Sequence, residues 1–201
     1  MKRKTSKPGP WADHYTRRAK KERYPARSVY KLKEIQKKYR LIHKGDRVLD
    51  LGCAPGSWLL AAAELVGGSG EVVGIDIQPV SIALPKQVRV VTGDILEADG
   101  AWLEDLKGTF QAVISDMAPA TTGNKTVDAA RSFRLCEAAL AIAEKYLAPG
   151  GFFVCKIFQG SDFQTFTTGV KARFRQQRIF KPQSSRKASK EIYLIGIGKK
   201  S

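Results

Sequence analysis

Seven short apolar runs, the first five alternating with helical stretches, predict an α/β protein: a mostly parallel seven-stranded sheet with an antiparallel edge strand and helices on both faces. The last two runs, about 174–180 and 191–198, are separated by a polar loop too short for a crossover helix, which places an antiparallel pair at the sheet edge. A glycine-rich turn, Asp50-Leu51-Gly52-Cys53-Ala54-Pro55-Gly56, joins the first run to a helix. In open α/β sheets ligands bind at such carboxyl ends of the strands.

Residues 1–24 are polar, basic and broken by Pro8, Gly9 and Pro10, so they predict a flexible arm, with 25–201 as a single domain. From Ser28 the periodicity turns helical: Val29, Leu32, Ile35 and Gln36 trace one face, and Lys31, Lys33, Lys37 and Lys38 the others. RVLDLG (47–52) has the pattern of a short buried strand. A helix begins at Ser57 and stops at Gly67, Gly68 and Gly70. EVVGID (71–76), VRVVTGD (88–94) and FQAVISD (110–116) supply the second to fourth strands. A helix from about Thr126 to Leu147 is halted by Pro149-Gly150-Gly151. FFVCKIF (152–158) is the fifth strand, and 161–172 a further helix.

At 201 residues and 43% hydrophobic content the chain has room for one domain with a real core. The net charge of +16 is unevenly placed. Residues 1–44 carry 16 Lys and Arg against three acids, residues 170–201 carry ten against one, and 45–169 is net −6. Basic ends around a mildly acidic middle suit a polyanion, nucleic acid first. No stretch approaches about 18 apolar residues, the length of a membrane span, and the first residues lack the apolar run of a signal peptide. Cys53, Cys136 and Cys155 are far apart with no Cys/His cluster, which argues against a structural zinc and suits small buried hydrophobes in a reducing compartment. The expectation is a cytoplasmic monomer without metal or membrane contact.

Gly52 and Gly56 let the backbone approach a ligand, and the helix start offers free N–H groups. The spacing is GxxxG rather than the dinucleotide GxGxxG, and Pro55 removes a donor, so the loop suits a ligand without a pyrophosphate. Asp76 ends the second strand and can accept both hydroxyls of an adenosine ribose. Asp94, after the third, can accept from an adenine amino group. Three strand ends in series point to S-adenosylmethionine. Trp58 either walls that pocket or packs helix on sheet. Farther along, Lys156 is flanked by Val154, Cys155, Ile157 and Phe158. A lysine inside an apolar strand is costly unless used, although it can also snorkel to an edge. Taken singly, Lys31 is one basic helix residue among many, Asp116 a strand-end turn residue and Glu191 a strand-edge charge.

Taken together, RSVYKLKEI, DRVLDLGCAPGSW, VVGIDIQP, ISDMAP, TTGNKTVDAARSFRLCEAAL, PGGFFVCKIFQG and KPQSSRKASKEIYLIG resemble the FtsJ-type ribosomal RNA 2′-O-methyltransferases, from about Tyr24 to Gly198. The family loop usually reads DLGAAPGGW. Cys53 is a modest enlargement, and Ser57 sits where a helix N-cap is favourable. The resemblance implies a Rossmann-like, S-adenosylmethionine-dependent methyltransferase fold. It implies donor binding through Gly56, Trp58, Asp76, Asp94 and Asp116. It also implies that Lys31, Asp116, Lys156 and Glu191 form a catalytic Lys-Asp-Lys-Glu set in which Lys156 acts on the hydroxyl proton. The implied target is a uridine of the large-subunit (23S) rRNA A-loop, presented on the assembled large ribosomal subunit.

A ribose 2′-hydroxyl is a poor nucleophile and a weak acid, so the enzyme must position it and manage one proton. Two roles for Lys156 stay open. A neutral amine takes the proton, which needs its pKa lowered by burial or by Lys31; an ammonium aims a lone pair and stabilises a developing alkoxide. Arg27, Lys33, Arg186 and Lys187 flank the tetrad as candidate phosphate contacts. Tyr24 and Tyr30 suit stacking on a splayed base or core packing. A tRNA or mRNA-cap 2′-O-methyltransferase would share the tetrad, but the small size and the match outside it favour rRNA. A non-catalytic RNA-binding ribosome-assembly factor would share the fold, but the intact tetrad argues against it.

Overall fold

The computed structural model of the chain describes residues 10–201, apart from 98–99, 120–121, 161, 187–188 and 190. Its strands are β1 (Arg47–Leu51), β2 (Glu71–Asp76), β3 (Val88–Thr92), β4 (Phe110–Ser115), β5 (Leu147–Phe158), β6 (Phe174–Phe180) and β7 (Glu191–Lys199). They form one sheet in the order β3-β2-β1-β4-β5-β7-β6. The pairs among β1 to β5 are parallel, and β7 runs antiparallel to both β5 and β6. The β6–β7 hairpin is thus the antiparallel edge pair, with its reversed member β7 inserted beside β5. The order turns back between β1 and β4, a topological switch point of the kind that opens a ligand crevice.

The helices are α1 (Pro10–Lys21), α2 (Val29–Tyr39), α3 (Ser57–Val66), α4 (Lys125–Tyr146) and α5 (Phe163–Arg173). Strand side chains alternate between two cores. Val48, Ala112, Ile114, Val154, Tyr193 and Ile195 pack with Val29, Leu32 and Ile35 of α2 and Leu59, Ala62 and Val66 of α3. Leu49, Val113, Phe153, Cys155, Ile192 and Leu194 pack on the other face with Ala139 and Ala143 of α4 and Phe166 and Val170 of α5. This period of two assigns every strand residue to a face. The helix ends follow local chemistry. Asn124 Oδ1 accepts the N–H of Thr126 (3.0 Å) and Val127 (3.3 Å) to cap α4, and α2 ends on Arg40 in the left-handed conformation.

Two stretches differ from expectation. Residues 10–21 of the predicted arm form α1, and the chain after it is packed down. Ala19 and Tyr24 are buried, the Tyr15 ring lies 5.3 Å from that of Tyr30, and the Arg18 guanidinium sits 4.7 Å over Tyr30. The density of lysine and arginine hides this thin apolar stripe in the sequence. Residues 1–9 lie outside the described residues. The second difference is a one-turn helix at Ala101–Asp105. It seats Trp102 against Gly93, where a Cβ would lie 2.5 Å from Trp102 Cγ, and the indole N–H donates to the Asp94 carbonyl at 3.0 Å. A tertiary contact therefore fixes the backbone that carries Asp94.

Candidate functional site

At the carboxyl ends of β1 to β4 lies a cleft of about 520 Å³, lined by Gly52, Ala54, residues 75–78, 93–96 and 116–119, and by Arg131, Arg134 and Leu135 of α4. Asp76 is held from both sides: Oδ2 accepts the Ala54 N–H (2.9 Å) and Oδ1 the Gln78 N–H (2.8 Å). Asp94 Oδ1 accepts the Leu96 N–H (2.9 Å). Two large apolar side chains on this cleft stay exposed, Ile77 at 63% and Leu96 at 41%. The cleft thus offers acceptor edges between greasy walls, the composition of a small-molecule site.

Gly52, at φ +75°, has no room for a side chain, because a Cβ would stand 2.1 Å from Met117 Cγ. Gly56 and Trp58 do not line the cleft. Gly56, at φ +106°, caps α3 beneath Val80 and Ile82. Trp58 is buried; its indole N–H donates to the Ser28 carbonyl (2.9 Å) and its ring stacks on Tyr193 at 5.9 Å. Of the two readings of the Trp58 side chain, the structure places it in helix–sheet packing.

The tetrad comes together by strand alternation. Lys156 shares a face with Val154, Glu191 shares one with Tyr193 and Ile195, and Asp116 follows Ile114 by two; that face is the one covered by α2, which brings Lys31. In the β5–β7 register Lys156 is directly opposite Tyr193. Lys156 Nζ lies 3.1 Å from Asp116 Oδ1 and also donates to the Asp116 carbonyl. Lys31 Nζ lies 3.5 Å from Asp116 Oδ1 and 2.9 Å from Glu191 Oε1. The result is a row, Lys156–Asp116–Lys31–Glu191, with charges alternating and both lysines under 10% exposed. Buried charges are tolerated only when paired in this way. Burial works against ionisation of Glu191, but Lys31 outweighs it and holds the carboxyl below its usual range.

Two buried residues to which the sequence assigned no role belong here. The Tyr193 hydroxyl donates to Asp116 Oδ1. Burial, then the Asp116 charge, push its pKa well above a phenol's ordinary value, so it remains a neutral donor. The signal was present in Glu191-Ile192-Tyr193, since residues two apart on a strand share a face. Asp50, 1% exposed, shares the face of Val48, and its Oδ2 has no hydrogen-bond partner. Burial raises its pKa, and the nearby charges of Asp116 and Asp76 add to the rise.

Of the candidate RNA contacts, Arg27 is half-buried; burial and then the positive charge of Arg186 lower its pKa, while the charge of Glu191 raises it. Arg186 is exposed, on a loop tied to α2 by Glu34, whose carboxylate accepts the N–H of Gln183 (2.6 Å) and Ser184 (2.9 Å). Lys33 is already engaged by Glu22 (3.7 Å) and Glu64 (3.9 Å). Lys187 lies outside the described residues. Tyr24 and Tyr30 are buried, with the Tyr24 hydroxyl donating to Glu64, so packing accounts for both rings. Among the described residues no helix is long and apolar enough to cross a membrane, and no cluster of three or more metal-ligating side chains occurs.

The family described as FtsJ-like methyltransferase matches residues 24–199. The chain is 63% identical over 190 residues to the ribosomal RNA large subunit methyltransferase E of Desulforapulum autotrophicum, covering 94% of each. It is 54% identical over 200 residues to the protein of that name from Desulfosudis oleivorans, covering 100% of this chain and 97% of that one. The crystal structure of a chain described as a ribosomal RNA methyltransferase from Plasmodium falciparum matches with a TM-score of 0.75 at 28% identity, over 88% of this chain and 98% of that one. The match takes in the glycine-rich turn, the cleft and all four tetrad positions at once, and the chain belongs to the FtsJ-like methyltransferase family.

Proposed function

We propose that the protein methylates a ribose 2′-hydroxyl of large-subunit ribosomal RNA with S-adenosylmethionine as donor, and that the target is a uridine of the 23S A-loop on the assembled subunit. The observation that carries this reading is the row Lys156–Asp116–Lys31–Glu191 beside a cleft that also contains Asp116. The names of the relatives support the RNA class.

The cleft residues fit the donor. Each carboxylate oxygen accepts about two hydrogen bonds, so one backbone N–H on each oxygen of Asp76 leaves capacity for a pair of ribose hydroxyls. Asp94 would hold the adenine amino group, and Ile77 and Leu96 offer faces for the ring. When bound, the donor supplies a methyl group on a sulfonium sulfur, which leaves as a neutral thioether. Asp116 orients Lys156 through two contacts, leaving one of its three ammonium directions free. That direction serves the 2′-oxygen. As an amine Lys156 takes the hydroxyl proton; as an ammonium it stabilises charge growing on the oxygen while the proton leaves to solvent. Lys31, bridging Asp116 and Glu191, keeps the group electrically balanced.

Incubation with labelled S-adenosylmethionine and either naked large-subunit rRNA or isolated large subunits, followed by mapping of the modified nucleotide, tests the proposal. Label on a 2′-oxygen of an A-loop uridine, stronger on subunits than on naked RNA, is the expected result. Label on base atoms, or transfer to tRNA in preference to rRNA, overturns it. A pH–rate profile separates the two roles of Lys156, because only an amine base requires a rising limb that the Lys156→Arg variant shifts upward.

A further inference from the structure

The loop after β2 contributes Ile77 and Gln78 to the donor cleft and Ile82 and Ala83 to a second cavity, of about 640 Å³. Tyr24, Leu60 and Ile82 give this second cavity an apolar floor, and Lys20, Arg23 and Arg27 line it as cations. Among the described residues none of those three is in an ion pair, whereas Arg18 on α1 and Lys33 on α2 both pair with Glu22. Arg23 also sits at φ +62°, in the left-handed region where the residue after a helix is usually Gly or Asn. Arg40 takes the same conformation after α2, so the turn is a helix stop, and it carries the charge of Arg23 into the rim of the cavity beside Lys20 and Arg27. Arg27 connects the cavity to the tetrad, lying close enough to Glu191 and Arg186 to be influenced by both.

We infer that this groove is a second nucleotide subsite, which holds a nucleotide neighbouring the target in the RNA strand, with its phosphate on Lys20 and Arg23 and its base against Leu60 and Ile82. An apolar floor with a cationic rim is the composition that single-stranded nucleic acids select. Arg27 guides the strand from this subsite towards Glu191. The inference rests on the proposed RNA ribose methylation and assigns a location to the substrate's second contact.

The test uses Arg23→Asn, since asparagine accepts the left-handed turn and the variant keeps the fold, together with Lys20→Gln. As a control, Lys145→Gln removes a cation from α4, far along the chain from the groove. Methyl transfer to isolated large subunits is measured at saturating S-adenosylmethionine, and binding to naked large-subunit rRNA is measured against salt. Both groove variants are expected to raise KM for the subunit about three- to tenfold with kcat unchanged. Each is expected to flatten the slope of log affinity against log salt by about 0.7–0.9, while Lys145→Gln changes neither. Unaltered KM and salt slope in both groove variants of an active enzyme, or an equal effect of Lys145→Gln, removes the inference alone. Absence of ribose methylation by the wild-type protein removes the underlying reading, and this inference with it.

Discussion

In the cleft at the strand ends the carboxylates are gripped by main-chain N–H groups; in the tetrad they are gripped by ammonium groups of distant side chains. Asp76 and Asp94 each accept from backbone within a loop or turn, so the fold itself holds them whatever their neighbours are. Asp116 and Glu191 depend on Lys31 and Lys156, and those lysines depend on them. A cleft residue can therefore change alone. A tetrad residue cannot, because removing one buried charge strands its partner. Asp116 is the one residue that belongs to both regions.

The largest effect tests that separation. Lys156→Ala is expected to lower single-turnover methyl transfer by about 10²–10⁴-fold and to leave donor affinity by calorimetry unchanged, since Lys156 does not line the cleft. A comparable loss of donor binding would merge the two regions into one. Asp116→Asn comes next and should affect both readouts, with a loss of about 10² in transfer and about tenfold in donor affinity. An effect on transfer only would take Asp116 out of the cleft.

Glu191→Gln tests the charge balance through pH. Lys31 holds the Glu191 carboxyl below the usual value of about 4.3. The ionised form thus stabilises the fold above that pH, and the contribution disappears as pH falls through the lowered value. Wild type should melt above the variant at pH 7, with the gap closing as pH falls below the usual carboxylate range; a constant gap contradicts the pairing. The smallest effect is expected from Glu34→Gln, which weakens two charge-assisted contacts to Gln183 and Ser184. Residues 182–186 should loosen by about 1–2 kcal/mol, read as faster amide exchange there and a KM for RNA raised a few-fold at constant kcat. A fall in kcat instead would make the loop part of the chemistry.

Both regions were legible in the chain to different depths. The glycine turn, Asp76 and Asp94 could be placed because each stands at the end of a short apolar run. The four tetrad residues could be named through family resemblance, and alternation along β5 and β7 explains why Lys156 and Glu191 face the same way. Trp58 stayed ambiguous, because a tryptophan after a glycine turn serves a pocket or a core equally well; its contacts with Ser28 and Tyr193 come from elements far along the chain. The helix α1 went unseen because few of its side chains are apolar, and its packing relies on Tyr30 of α2.

What the amino-acid order determined alone was local: where strands begin and end, which face each side chain takes, and where the backbone must bend through glycine. These depend on steric limits and periodicities within a few residues. Only the tertiary structure decided which charges meet. Lys31 and Asp116 stand 85 positions apart and Tyr193 and Asp116 stand 77 apart. Their pairing, the burial that makes it strong, and the depressed acidity range of Glu191 arise from water being excluded by the whole assembled sheet and its covering helices, which no local window contains.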